Sequence, residues 1–141
     1  MSIQPYLFFD GRTDEAIAFY GKAVGAEVVV RMTYGDSPDS QANCDGPSPP
    51  ADKVMHANLR IGGSDLLLAD GFCGGNPKFD GFSLSLTCDG DADAKAKFDA
   101  LADGGKITQP LIATFFATSF GMVTDHFGVS WIVMAPAAQP G

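Results

Sequence analysis

Basic residues are scarce in this chain: 9 Lys and Arg stand against 17 Asp and Glu, a formal net charge of −8 over 141 residues. A nucleic-acid partner needs a basic footprint to displace counterions from phosphates, so none is expected. An anionic ligand would need a local cluster of Arg and Lys against that field, and the sequence offers none. Cysteine is sparse as well. Cys44, Cys73 and Cys88 are odd in number and unrelated in spacing, with no CxxC or zinc pattern. A disulfide framework is therefore not expected, and a reduced cytoplasmic compartment is. No apolar run approaches the roughly 20 residues that a spanning helix requires. The opening "MSIQPYLFFDG" has no basic n-region and no small-residue cleavage site, so no signal peptide is expected.

What is present fits a folded domain. The hydrophobic share is 45%, and the length suits a single domain with its own core. "IQPYLFFDG" reads as a short strand closed by an Asp-Gly turn. "RTDEAIAFYGKAVG" follows as a helix capped by Thr13 or Asp14, with acidic residues in its first turn. Ala16, Ile17, Tyr20 and Val24 recur at helical spacing as the buried stripe, with Phe19 at its edge. Gly25 is placed to end the helix in a left-handed conformation. "AEVVVRMTY" is then a β-branched strand. Residues 35–52 are rich in Pro, Ser, Asp and Gly and read as a loop, either a solvated excursion or a lid. "KVMHANLRIGGSDLLLAD" reads as a hairpin turned at Gly62-Gly63, with Arg60 opposite Asp65.

The pattern then restarts. "GFCGGNPKFD" is a Gly-rich linker, and "GFSLSLTCD" alternates Phe82, Leu84 and Leu86 with Ser83, Ser85 and Thr87. A helix over 91–103 carries Ala94, Phe98, Leu101 and Ala102 on one face. "GGKITQPLI" is a strand in which Pro110 marks an edge or a bulge. "FATSFGMVTDHFGVSWIVM" is a hairpin turned at "DHFG", with Asp125 and Gly128 making the turn and Trp131 in the core. Phe115 and Phe116 follow a strand; core packing is expected for them, and if exposed they would line the cleft or the dimer contact. Each half thus reads strand, helix, strand, hairpin. The expected fold is α+β: one domain of two tandem βαβββ modules, about residues 1–70 and 80–135, joined by 71–79. One such unit cannot close a core. Two can curl into a mixed sheet around a cleft, with the helices outside.

The stretches "YLFFDGRTDEAIAFYGKAVGAEV", "HANLRIGGSDLLLAD", "LADGGKI" and "DHFGVSWIV" carry a resemblance across nearly the whole chain. Together they resemble the vicinal-oxygen-chelate superfamily, which includes glyoxalase I, bleomycin-resistance proteins and extradiol dioxygenases. Within it they are most similar to the PhnB-like branch, labelled 3-demethylubiquinone 3-methyltransferase-like. The resemblance implies a homodimer with a cleft in each curled sheet. In metal-using members, four strand positions supply His or Glu to a divalent ion. Carried over, they fall on Pro5, near Leu68, near Ser83 and near Ile132, none of which ligates a metal. No metal and no cofactor are therefore expected. The methyltransferase label fits poorly too, because the first strand ends in a single Asp10-Gly11 rather than a Gly-rich βα turn.

These readings lead to a cleft protein that binds a small organic molecule. Ser83, Ser85 and Thr87 would be its polar contacts if they face the cleft. Pro5, Leu68 and Ile132 would make the former metal region apolar. The alternative is an enzyme, a lyase, isomerase or oxidoreductase, with His56 as general base. His56 shares a strand face with Asn58 and Arg60, and the plain reading of it is a strand histidine bonded to a neighbour. A third reading is a metal-dependent member with a non-standard site built from His56, Asp70 and His126. Against it, Asp70 reads more readily as a turn or cap residue and His126 as an exposed turn residue. Cys44 has no neighbour that would lower its pKa.

Overall fold

The computed structural model describes residues 3–36, 52–70 and 79–137. The chain divides into two compact units, Met1–Pro77 and Lys78–Gly141, and each is a βαβββ module. Most of the loop expected at 35–52 and of the linker expected at 71–79 lies outside the described residues, as do Cys44 and Cys73.

The first unit runs β1 (Tyr6–Phe8), α1 (Thr13–Val24), β2 (Glu27–Thr33), a 3-10 turn (Tyr34–Asp36), β3 (Val54–Ile61) and β4 (Ser64–Ala69). Its sheet order is β1-β4-β3-β2, with β1 parallel to β4 and the other pairs antiparallel. The chain leaves β1 through Asp10 and Gly11, both at positive φ, a conformation open to Gly and tolerated by Asp. Neither Thr13 nor Asp14 caps the helix with its own side chain. Arg12 holds the cap position without a side-chain capping bond, and the first helical N–H, that of Thr13, donates to Asp70 Oδ1 at 2.9 Å. The end of β4 reaches the helix start, so a distant carboxylate displaces the local cap. The buried stripe is Thr13, Ala16, Tyr20, Ala23 and Val24; Ile17, expected in it, is half-buried. Gly25 closes the helix at φ 71°, its N–H donating to the Tyr20 carbonyl.

Register assigns the two faces of this sheet. Leu7, Leu68, Ala57 and Arg31 form one row across the strands. Arg31 reaches α1, where its Nε and an Nη donate to the two Asp14 oxygens at 2.8 Å each. That row is therefore on the helix side, and Leu7, Leu68 and Ala57 are buried. The alternate row, Tyr6, Leu67, Asn58 and Val30, lies on the opposite, open face. The Arg60–Asp65 pair forms across the hairpin as expected, Nε to Oδ1 at 2.9 Å, with Gly62 at φ 60° in the turn. The Arg31 hydrogen bond holds the Asp14 carboxyl below its ordinary range. A lowered folded pKa contributes stability above the unfolded pKa, and that contribution is lost as pH falls through the folded value. Arg31→Ala is expected to raise the Asp14 pKa in an NMR titration. It should cost no more than about 1 kcal/mol near neutral pH, because the pair is exposed.

The second unit runs β5 (Leu84–Thr87), α2 (Asp91–Ala102), β6 (Lys106–Ile112), β7 (Ala117–Thr124) and β8 (Ser130–Pro136). Its order, β5-β8-β7-β6 with β5 parallel to β8, repeats that of the first sheet. Ala94, Phe98 and Leu101 are the buried residues of α2. Phe98 approaches β7 at Gly121, where an added Cβ would stand 2.7 Å from the ring, so a side chain there would overpack the contact. Pro110 sits in the edge strand β6, within the register shift between Gln109 and Ile112, where its missing N–H breaks no regular pairing. The core placement expected for Phe115 and Phe116 is not found. They lie in the β6–β7 connection, where Phe115 is 96% exposed and Phe116 stacks edge-on against Phe120. Among the described residues no helix is long and apolar enough to cross a membrane.

Candidate functional site

The open face of the first sheet is where apolar surface and polar chemistry meet. Alternation along β1 puts Tyr6 and Phe8 there, 38% and 41% exposed, while Leu7 is buried behind them. Their rings stack at 5.1 Å and 19°, forming an aromatic ledge. On β3, His56 and Asn58 occupy the same face, in register with Met32 and Val30 of β2. Tyr6 Oη lies 2.8 Å from His56 Nδ1, and the two rings are 5.6 Å apart. Burial, and secondarily Tyr34, pushes the Tyr6 phenol above its ordinary pKa, so it keeps its proton throughout the neutral range. The Asn58 Oδ1 is buried without a partner among the described residues. At the end of the face Arg60 and Asp65 neutralise one another, and Gln4 also donates to Asp65.

The second sheet has an open face of its own. Ser85 and Thr87 register with Ile132 and Met134, which in turn register with Met122 and Phe120. Beside them Ser83 Oγ and Ser130 Oγ are 2.8 Å apart. The Ser83, Ser85 and Ile132 named from sequence thus share one region of this sheet.

Two of the positions named from sequence are displaced. Leu68 is fully buried on the helix side; its neighbour Leu67 carries the open face. Pro5 precedes β1, and its backbone carbonyl accepts from Leu67 N–H at 3.0 Å. The residue of β1 that meets His56 is Tyr6. An offset of one residue in a strand exchanges the faces, which accounts for both displacements. Tyr6 and Phe8 were missed, although the alternation within "YLFFD" was a signal for them.

The described residues do not gather the three donors named for a non-standard metal centre. Both Asp70 oxygens are engaged, Oδ1 by Thr13 N–H and Oδ2 by Val54 N–H at 2.7 Å, so this carboxylate is a cap. His126 is exposed in its turn, its ring 3.9 Å from that of Phe127. Among the described residues no three of His, Cys, Asp and Glu cluster with metal-binding geometry. Cys88 is buried, and burial raises its thiol pKa, the opposite of what a nucleophile needs. Asp125 is buried too. Its Oδ1 accepts from Phe127 and Val129 N–H at 3.0 Å each, and its Oδ2 from Trp131 Nε1 at 2.9 Å.

Tandem βαβββ modules with this strand order define the glyoxalase/bleomycin-resistance/dioxygenase fold of the vicinal-oxygen-chelate superfamily. A domain of that description from Frankia shares it at a TM-score of 0.63 and 16% identity, covering 96% of this chain and 94% of its own. Within that superfamily the chain belongs to the 3-demethylubiquinone-9 3-methyltransferase (PhnB-like) family, matched over residues 1–134. It is similar to protein YjdN of Escherichia coli, 39% identical over 145 residues and 99% of each chain. Among solved structures it is similar to PA1353 of Pseudomonas aeruginosa, with a TM-score of 0.82, 39% identity, and 96% and 97% of the two chains covered. A PhnB protein from Bacillus cereus gives 0.75 and 28%, over 96% and 99%.

Proposed function

We propose that the protein binds a small, uncharged, largely apolar organic molecule on the open face of its first sheet, without a metal. The observation that carries this reading is the Tyr6–His56 pair, one polar contact set beside a half-exposed aromatic ledge. Binding sites of this kind are mostly apolar, with a few placed polar groups that fix orientation. Methyl transfer draws no support from the residues. The N-terminus of α1, the place for an anionic cofactor group after the first strand, is occupied by the Asp70 carboxylate. Ser83 and Ser85 form the second polar strip available to a ligand. Pairing of two chains is part of the proposal, with the exposed Val28, Val29 and Val30 of edge strand β2 as the apolar surface that supports it.

The test is amide NMR with a panel of uncharged aromatic and aliphatic fragments. Shifts should concentrate at Tyr6, Phe8, Met32, His56 and Leu67, and Phe8→Ala should weaken aromatic fragments by about tenfold, the scale of a lost ring contact. Shifts confined to other surfaces would overturn the reading. The second reading is an enzyme that moves a proton at His56, and it too rests on the Tyr6 contact. It predicts ligand turnover that His56→Ala abolishes while binding survives.

A further inference from the structure

The Tyr6–His56 contact carries more than proximity, because its chemistry decides where the imidazole proton sits. A phenol is the stronger acid of the two groups and an imidazole nitrogen the stronger base, so the short bond is made with the phenol donating. Tyr6 Oη has no other hydrogen-bond partner among the described residues, so His56 Nδ1 is the acceptor its proton has among them. An imidazole that accepts at Nδ1 while neutral carries its hydrogen on Nε2. Resting on the binding reading above, we propose that Tyr6 is a positioning residue that locks His56 in the Nε2–H tautomer. His56 is thereby a neutral hydrogen-bond donor that selects flat, conjugated ligands bearing a carbonyl-type oxygen.

The surroundings specify the rest of that ligand. The stacked Tyr6 and Phe8 rings offer a flat apolar ledge that favours a planar partner. Arg60, which shares this strand face with His56 and Asn58, is paired with Asp65, so it offers a carboxylate or phosphate no unpaired positive charge. An uncharged oxygen acceptor is what an Nε2–H donor beside such a ledge can satisfy. A general base at Nε2 would need the opposite tautomer, so this inference and a reading in which His56 Nε2 takes a proton exclude one another.

Long-range proton–nitrogen NMR of the full chain at about pH 8, where an ordinary histidine is neutral, reads the tautomer directly. His56 is expected to show an unprotonated Nδ1 and a protonated Nε2, and Tyr6→Phe is expected to convert it to a mixture. A protonated Nδ1, or a tautomer unchanged by Tyr6→Phe, overturns the positioning role whatever binds. Acetophenone and α-methylstyrene, alike in shape but differing in the carbonyl oxygen, then test selection. The ketone should move the Nε2–H resonance and bind the wild type about twofold or more tighter than Tyr6→Phe, the factor by which an even mixture dilutes the donor tautomer. The hydrocarbon should not distinguish the two proteins. Equal binding of both probes to wild type and Tyr6→Phe would overturn selection yet leave the binding reading intact. Failure of both probes to bind would overturn the binding reading and selection with it, and the tautomer result would still decide the role of Tyr6.

Discussion

Asp70→Ala is expected to lower the unfolding free energy by about 3–5 kcal/mol, since each backbone bond to a buried carboxylate contributes about 1.5–3 kcal/mol. Two donors lose their acceptor at once, Thr13 N–H at the start of α1 and Val54 N–H at the start of β3. Neither gains water in exchange, because Thr13, Val54 and Asp70 are all buried. The negative charge also faces the positive end of the helix dipole, which favours it further. Urea unfolding should show a lower midpoint with an unchanged slope, the signature of lost stability without a change in surface exposed. Asp70→Asn is the informative companion. Its amide can accept from one of the two N–H groups but points its own N–H at the other, so it should recover less than half of the loss. If Asp70→Ala cost under about 1 kcal/mol, the carboxylate would be no more than an exposed cap.

Asp70 also shows what the sequence withheld. The order of strands and helices was legible because its signals are local: period two in Phe82–Thr87, period 3.6 in α1, Gly25 after the helix, and Arg60 opposite Asp65 around a Gly-Gly turn. The cap of α1 was not legible, since its acceptor lies 57 residues away in sequence. The same holds for the candidate site. His56 stood out as a residue type, but its partner Tyr6 lies 50 residues earlier and its face depends on which row pairs with Arg31. Family anchors supplied positions without faces, and they fell on Pro5 and Leu68, whereas the open face of the sheet carries Tyr6 and Leu67. Phe115 and Phe116 failed for another reason: hydrophobicity alone predicts burial, but the connection they occupy carries them to the surface.

Asp125→Ala is the second large effect expected, again about 3–5 kcal/mol, by the same accounting of bonds to a charged acceptor. Here one carboxylate holds the whole turn. It fixes the backbone at Phe127 and Val129 and anchors the indole N–H of Trp131, which is 2% exposed. Gly128 completes the turn at φ 96°, its N–H donating to the Asp125 carbonyl. Trp131 is the chain's single tryptophan, so its fluorescence reports this loss without ambiguity. The emission should shift to the red in Asp125→Ala at a urea concentration where the wild type is still folded. Trp131→Phe separates the two parts of the contact. It deletes the indole bond but leaves both backbone bonds to Oδ1, so combining it with Asp125→Ala should cost less than the sum of the two changes. A strictly additive result would mean the indole bond contributes nothing. Sub-additivity would show that the Asp-x-Phe-Gly-x-x-Trp pattern, which carried much of the resemblance in the sequence, holds the β7–β8 hairpin rather than a ligand.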